Sequence, residues 1–372
     1  MAQHSRRQFL LGAAGTTAGA LAGCLGTVAT DGASNGGRRT AQASFFVVYD
    51  FTRHVATREA DVHNLVPFGQ HGHGWEPGPD IQRDVLGSDA FVYVGEGFQP
   101  WADKTVQNIR EDGANVAVVE AWEGVDLLDT SDGHDHGSEG HESGEHDHDD
   151  GHSDDGHHEH DGGESGDEQA SHTEHGGHAD HDDQTEQAGS SEQGTTDPHF
   201  WLDPSRAKQS VRTIARGLSE VDPENESGYV ENTDAFVERL DELDGRYRER
   251  LDGRTRDTVL VAGHNSFRYL GRRYDFHVEA LTGLSPDSPP SPQDVKRAQT
   301  VIDEHDVEHV LAPVFESDRA ARQLVEETDA TAVLPLTPVP SLTQEWTDEG
   351  WGYVEVMEKV NLPSLEEALG VE

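Results

Sequence analysis

Three histidines stand where an imidazole could do chemistry instead of simply facing water. His73 lies in a loop punctuated by Pro67, Gly69, Gly72, Gly74 and Pro77. His199 lies between two Asp-Pro pairs, Asp197-Pro198 and Asp203-Pro204, with Phe200, Trp201 and Leu202 inside. Pro restricts the residue before it and Asp favours turns, so this stretch reads as a tight, partly buried turn. His264 follows the apolar run 258–262 through Gly263, which puts it at the carboxyl end of a strand. Open α/β sheets bind ligands at that edge. Neutral imidazole is a favoured ligand for Zn, Cu and Ni. Taken singly, each of these histidines is more often a hydrogen-bonded structural residue, and spacing alone leaves both readings open.

A second concentration of imidazole lies in residues 129–197, which hold 13 of the 23 His with 23 Asp and Glu and no Lys or Arg. The stretch has no hydrophobic periodicity and cannot bury enough apolar surface to offset chain entropy, so it reads as a disordered insertion. His134, His136, His157, His158 and His160 interleave with carboxylates and imply many weak, exchangeable metal sites. The plainer alternative is a solvated spacer in which His is incidental. Half of the chain's net charge of −46 sits here, and the remaining residues are still acid-rich with only four Lys. Such an anion repels phosphate, which excludes a nucleic-acid binder. The surface is of the kind that carboxylates form in strong brine, where salt screens their repulsion.

The first residues are an address. Ser5, Arg6, Arg7, Gln8, Phe9 and Leu10 form a twin-arginine pattern, and the apolar run 11–23 is too short to span a bilayer. Leu21, Ala22, Gly23 and Cys24 match a lipobox, in which cleavage before Cys24 leaves its thiol to carry a lipid. As the only Cys, it cannot make an internal disulfide; the alternative is a free, buried thiol. Residues 25–43 are rich in Gly, Thr, Ser and Ala and read as a flexible tether. The expected order is therefore a signal at 1–23, a tether at 24–43 and a folded part from Ser44, outside the cytoplasmic membrane.

Behind these residues stand the elements that must position them. Apolar runs at 44–49, 90–94, 116–119, 258–262, 309–312 and 331–334 read as strands, mostly of the continuous kind buried in parallel sheets. Helical patterns lie between them at 101–112, 294–305 and 318–328. This alternation argues for α/β architecture. In 223–251, Tyr229, Phe236, Val237, Leu240, Leu243 and Tyr247 recur at helical spacing. The reading is two lobes, 44–222 (interrupted by 129–197) and 257–372, joined by a long helix within 223–256.

Together these motifs resemble the zinc and manganese type of solute-binding lipoproteins that serve ABC importers, over nearly everything from Ser44 onward. His73, Gly74, Trp75, Glu76 and Pro77 match the latter half of that family's first ligand loop. Residues 197–204 match its second ligand motif almost letter for letter. His264, with Phe267, Tyr269, Arg273 and Tyr274, resembles its third. Further likeness lies in residues 95–101 and in 351–362 with Met357, Asn361 and Leu362. A His-rich insertion before the second motif is typical of the zinc members.

The resemblance implies two α/β lobes, each with a mainly parallel sheet, joined by one long helix, and a metal in the cleft held by His73, His199 and His264. It implies Zn(II) as the transported ligand with Mn(II) as a second candidate, an ABC permease as partner, membrane attachment through Cys24, a monomer and no catalysis. Three imidazoles favour Zn over Mn. The chain departs from the family at the fourth ligand: where members often have Leu-Asp-Pro, it reads Leu336, Thr337, Pro338. Water, Glu316, Glu345 or an imidazole of the insertion remain as candidates. The rival functions are a surface-anchored zinc buffer or adhesin-like protein and, further off, a three-histidine zinc enzyme. Outside low-complexity sequence there is no zincin helix, nucleophile elbow or Walker loop.

Overall fold

The computed structural model describes residues 38–70, 75–130, 196–284 and 289–371. The twin-arginine pattern, Cys24, His73 and residues 131–195 of the insertion lie outside the described residues.

The first lobe is built on four parallel strands, β1 (Arg39–Ala43), β2 (Ala60–Asn64), β3 (Ala90–Tyr93) and β4 (Ala117–Glu120), in the order β2-β1-β3-β4. Helices α1 (Phe46–Ala56), α2 (Pro79–Leu86), α3 (Pro100–Asp112) and α4 (Pro204–Val221) accompany them. The second lobe repeats the order as β6-β5-β7-β8, again parallel, with β5 (Thr258–His264), β6 (His277–Thr282), β7 (His309–Pro313) and β8 (Ala332–Leu336). Its helices are α6 (Arg268–Tyr274), α7 (Pro292–His305), α8 (Arg319–Glu327) and the short α9 (Gln344–Asp348). This strand order reverses direction between β1 and β3 and between β5 and β7, which makes a crevice at the carboxyl ends of those strands.

Between the lobes runs α5 (Glu226–Arg250), 25 residues and therefore about 37 Å long at 1.5 Å per residue. It is more than a tether. Phe236 packs on Phe51 and stacks on His54 of α1, with centroids 5.8 and 4.1 Å apart. The chain ends in α10 (Tyr353–Val356), a π-helical turn (Met357–Asn361) and α11 (Leu362–Ala368), which return to α5. Tyr247 Oη donates to Met357 O at 2.7 Å, and Arg239 pairs with Glu355, Arg246 with Glu358 and Arg250 with Glu366. Buried Asp50 of α1 accepts from the Tyr353 backbone N–H at 3.0 Å. One hydrophobic cluster consequently runs from Phe45 and Phe51 through Tyr247 to Val261, Leu336 and Tyr353, with smaller clusters on the outer side of each sheet. Lobes that share a close-packed core move by small shifts more readily than by wide opening.

Three expectations change. Residues 44–49 are the entry to α1, not a strand, because Phe46, Val47, Val48, Phe51 and Val55 are all buried and a helix enclosed on most sides carries a continuous apolar run. The strand lies upstream, at Arg39–Ala43, inside the stretch read as tether, where Ala41 and Ala43 fill a central position. The rims of the insertion also belong to the fold: Asp129 pairs with Thr196 in an isolated antiparallel bridge, and Asp197 N–H donates to Leu128 O at 2.9 Å. No described helix is long and apolar enough to cross a membrane.

Candidate metal centre

The 197–204 motif is rigid because each residue has a task. Asp197 Oδ1 accepts from the His199 backbone N–H at 3.0 Å and faces His199 Nδ1 at 2.9 Å. Phe200–Leu202 make one 3-10 turn. Asp203 then caps α4 by accepting from Ser205 N–H at 2.8 Å, and Pro204 fills the first helical position, where its missing N–H costs nothing. Trp201 anchors the turn on the first lobe's crevice, with ring centroids 5.4 Å from Phe45, which follows β1, and 5.8 Å from Phe98, which follows β3. Its Nε1–H reaches the second lobe and donates to Pro338 O at 2.7 Å.

His264 closes β5, a strand buried along its whole length, at the point where the second sheet reverses direction. Its Nδ1 faces Glu316 Oε1 at 2.5 Å, a carboxylate just beyond β7. Gly263 makes this approach possible: a Cβ there would lie 2.4 Å from Pro313 Cγ and 2.9 Å from Glu316 Oε2.

The two imidazoles meet between the lobes with ring centroids 5.4 Å apart and planes inclined at 48°. A carboxylate only accepts, so in each pair Nδ1 carries the proton and Nε2 is the ligand atom the ring offers. Burial pulls His199 below the ordinary imidazole range against the opposing influence of Asp197. It is therefore neutral at pH 7, the form that binds a metal. The separation suits one ion about 2 Å from a nitrogen of each ring.

The other expected residues fall out as follows. His73 lies outside the described residues, although its loop is anchored on both sides: Gly69 N–H donates to Ser341 Oγ of the second lobe at 2.8 Å, and Trp75 meets Trp101 edge-on at 5.2 Å. Thr337 is buried and structurally committed. Its Oγ1 accepts from Val339 N–H, and its backbone N–H and C=O pair with the Asn361 amide at 2.9 and 2.8 Å. Glu316 orients His264, and Glu345 is exposed on α9. Among the described residues no group of three His, Cys, Asp or Glu is placed to hold a metal, and of the three expected histidines the structure brings together two, His199 and His264. Sequence reading passed over Arg268, next to Tyr269, and the roles of Asp197 and Glu316 as imidazole partners; an Asp two residues before a His was the available signal for the first of these roles.

Two parallel α/β lobes of identical strand order, with imidazoles at facing carboxyl edges, define a two-lobed cleft protein. The chain belongs to the family described as zinc-uptake complex component A, periplasmic, whose profile matches residues 42–368. The high-affinity zinc uptake system protein ZnuA of Bacillus subtilis (strain 168) is 28% identical over 351 residues, covering 94% of each protein. The zinc-binding lipoprotein AdcA of Streptococcus pneumoniae is 28% identical over 335 residues, 89% of this chain and 56% of that protein. The chain thus spans about half the length of that streptococcal relative. The Zn(II)-bound ZnuA-like domain of the same AdcA superposes with a TM-score of 0.63 at 25% identity, over 90% of this chain and 99% of the other. The metal-dependent lipoprotein YcdH from Bacillus subtilis shares the fold, with a TM-score of 0.65 at 24% identity over 90% of this chain and all of the other. The family resemblance and the two-lobed α/β fold expected from the sequence are both borne out, and the relatives named for a metal are zinc proteins.

Proposed function

We infer that the chain is an extracytoplasmic receptor that captures Zn(II) between its lobes with His73, His199 and His264 and passes it to an ABC-type permease. The observation that carries this reading is the pair of buried imidazoles at 5.4 Å, one from each lobe, each with its Nδ1 on a carboxylate. One ion held by both favours the docked arrangement of the lobes that a permease would recognise. The shared core limits that change to small shifts of loops and of the second lobe. Cys24, as the lipidated residue, would keep the receptor at the outer face of the cytoplasmic membrane as a monomer. The insertion would collect zinc on weak sites near the opening, because flexible ligands lose ordering entropy each time they assemble. The centre binds and releases zinc without catalysis.

The test uses a variant lacking residues 131–195. Its ends are already paired at Asp129 and Thr196, so a short linker closes the gap. Calorimetric titration with Zn(II) is expected to give one tight site, and His73→Ala, His199→Ala or His264→Ala each to weaken it by several kcal/mol, on the order of 100-fold or more, with the apo fold retained. Full affinity in His199→Ala would remove the centre from the cleft. Loss of the tight site on deletion alone would make the insertion a ligand donor.

A further inference from the structure

We propose that Arg268 and Tyr269 of α6 are positioning residues for zinc, acting on His199 of the first lobe through Asp197. The inference rests on the cleft reading above and adds to it a device by which one lobe sets a ligand of the other.

Asp197 is fully enclosed, and its two oxygens have different neighbours. Oδ1 serves the His199 backbone and ring, while Oδ2 lies 3.6 Å from Arg268 Nη1. A buried carboxylate needs an opposite charge, and Arg268, itself only 12% exposed, supplies it. The same guanidinium donates to Asp129 O at 3.0 Å. Tyr269, wholly buried, holds the backbone: its Oη donates to Asp197 O and accepts from Leu128 N–H, both at 2.7 Å. The Arg206 guanidinium lies 5.2 Å from the centre of the Tyr269 ring and fixes it from the first lobe.

The order of the chain gives this arrangement its consequence. Arg268 and Tyr269 follow His264 by four and five residues, so the helix that orients one imidazole grows out of the strand that ends in the other. His199 is correctly aimed only while α6 is docked. Zinc affinity and lobe docking are therefore coupled through three side chains, Asp197, Arg268 and Tyr269, that never touch the ion. Groups that orient a ligand imidazole typically govern metal affinity about 10- to 100-fold.

The test uses the full chain and competition for Zn(II) against a tight chelator, which reads only the strongest site, with thermal melting of the apo protein alongside. Arg268→Ala is expected to weaken zinc about tenfold in the parent and less than about threefold in an Asp197→Asn background, because the route through the carboxylate is already cut. Its effect on apo melting is expected to be larger in the parent, where it leaves the enclosed Asp197 carboxylate without its opposite charge, than in Asp197→Asn, so affinities are compared at a temperature where every variant is folded. Arg268→Lys is expected to recover part of the affinity and Arg268→Gln none, and this pair decides the matter if Arg268→Ala does not fold. Tyr269→Phe, which keeps the ring and removes the hydroxyl, is expected to weaken zinc in both backgrounds. An equal loss for Arg268→Ala in parent and Asp197→Asn, or unchanged affinity with lowered melting, overturns the inference. His199→Ala is the control: if it retains tight zinc, the cleft reading has failed, whereas loss in His199→Ala with no effect of Arg268→Ala or Gln sinks the positioning role alone.

Discussion

The two imidazole–carboxylate pairs look alike in composition and differ in construction. In the first lobe, Asp197 and His199 are two residues apart, wholly buried and locked by the turn that contains them. In the second, His264 and Glu316 are 52 residues apart, meet only because β5 and β7 are neighbours, and leave the carboxylate 17% exposed. Local chemistry makes the first pair, and sheet topology makes the second. An enclosed carboxylate acts through a low dielectric and holds its partner tightly, whereas a partly wet one is screened and can be replaced by solvent.

That contrast can be broken by exchanging each carboxylate for its amide. Asp197→Asn is expected to weaken tight zinc binding about 10- to 100-fold, since the amide can present either an oxygen or an N–H to Nδ1 and no longer specifies the tautomer. Gly263→Ala comes next, with a loss of about tenfold in zinc affinity and about 1–3 kcal/mol in stability by urea unfolding, because the new methyl group displaces Pro313 and Glu316 together. Glu316→Gln is expected to cost only about threefold, as water can reach the site. Chelator competition on the three variants gives the order. If Glu316→Gln costs as much as Asp197→Asn, exposure does not set the strength of these pairs.

The same contrast explains what could be read in the sequence. The 197–204 motif was legible because its constraints are local: Asp-Pro, an aromatic run and a helix cap are written in consecutive letters. His264 was legible from the apolar run before it, and α5 from its spacing. Glu316 was visible only as a spare carboxylate, since its role depends on which strands become neighbours. Strand β1 escaped because Arg39–Ala43 offers no apolar side chain larger than Ala, and β2 and β6 escaped because they are polar edge strands. Residues 44–49 misled for the opposite reason, an apolar run so dense that strand and enclosed helix share one signature.

The smallest expected effect is on acid stability without metal, and it separates the two carboxylates by size. Burial holds His199 below the ordinary value of 6.5, and Asp197 pulls the other way. In the unfolded chain the ring gains its proton as pH falls through about 6.5, while the folded protein keeps it neutral to lower pH. The unfolded state therefore binds more protons in that interval, so the contribution of His199 to stability is complete above about 6.5 and is lost as pH falls toward the folded value. Asp197→Asn removes the upward pull, lowers the folded value further and widens the interval. Urea midpoints of the apo variant are accordingly expected to fall more between pH 7 and pH 5 than those of the parent, as order-of-unit windows around the histidine range. Glu316 is the smallest of the influences on His199, so Glu316→Gln is expected to change the His199 contribution far less than Asp197→Asn does. Parallel curves for Asp197→Asn and the parent would mean that Asp197 holds His199 by geometry alone, and the first pair would then differ from the second in rigidity without differing in charge.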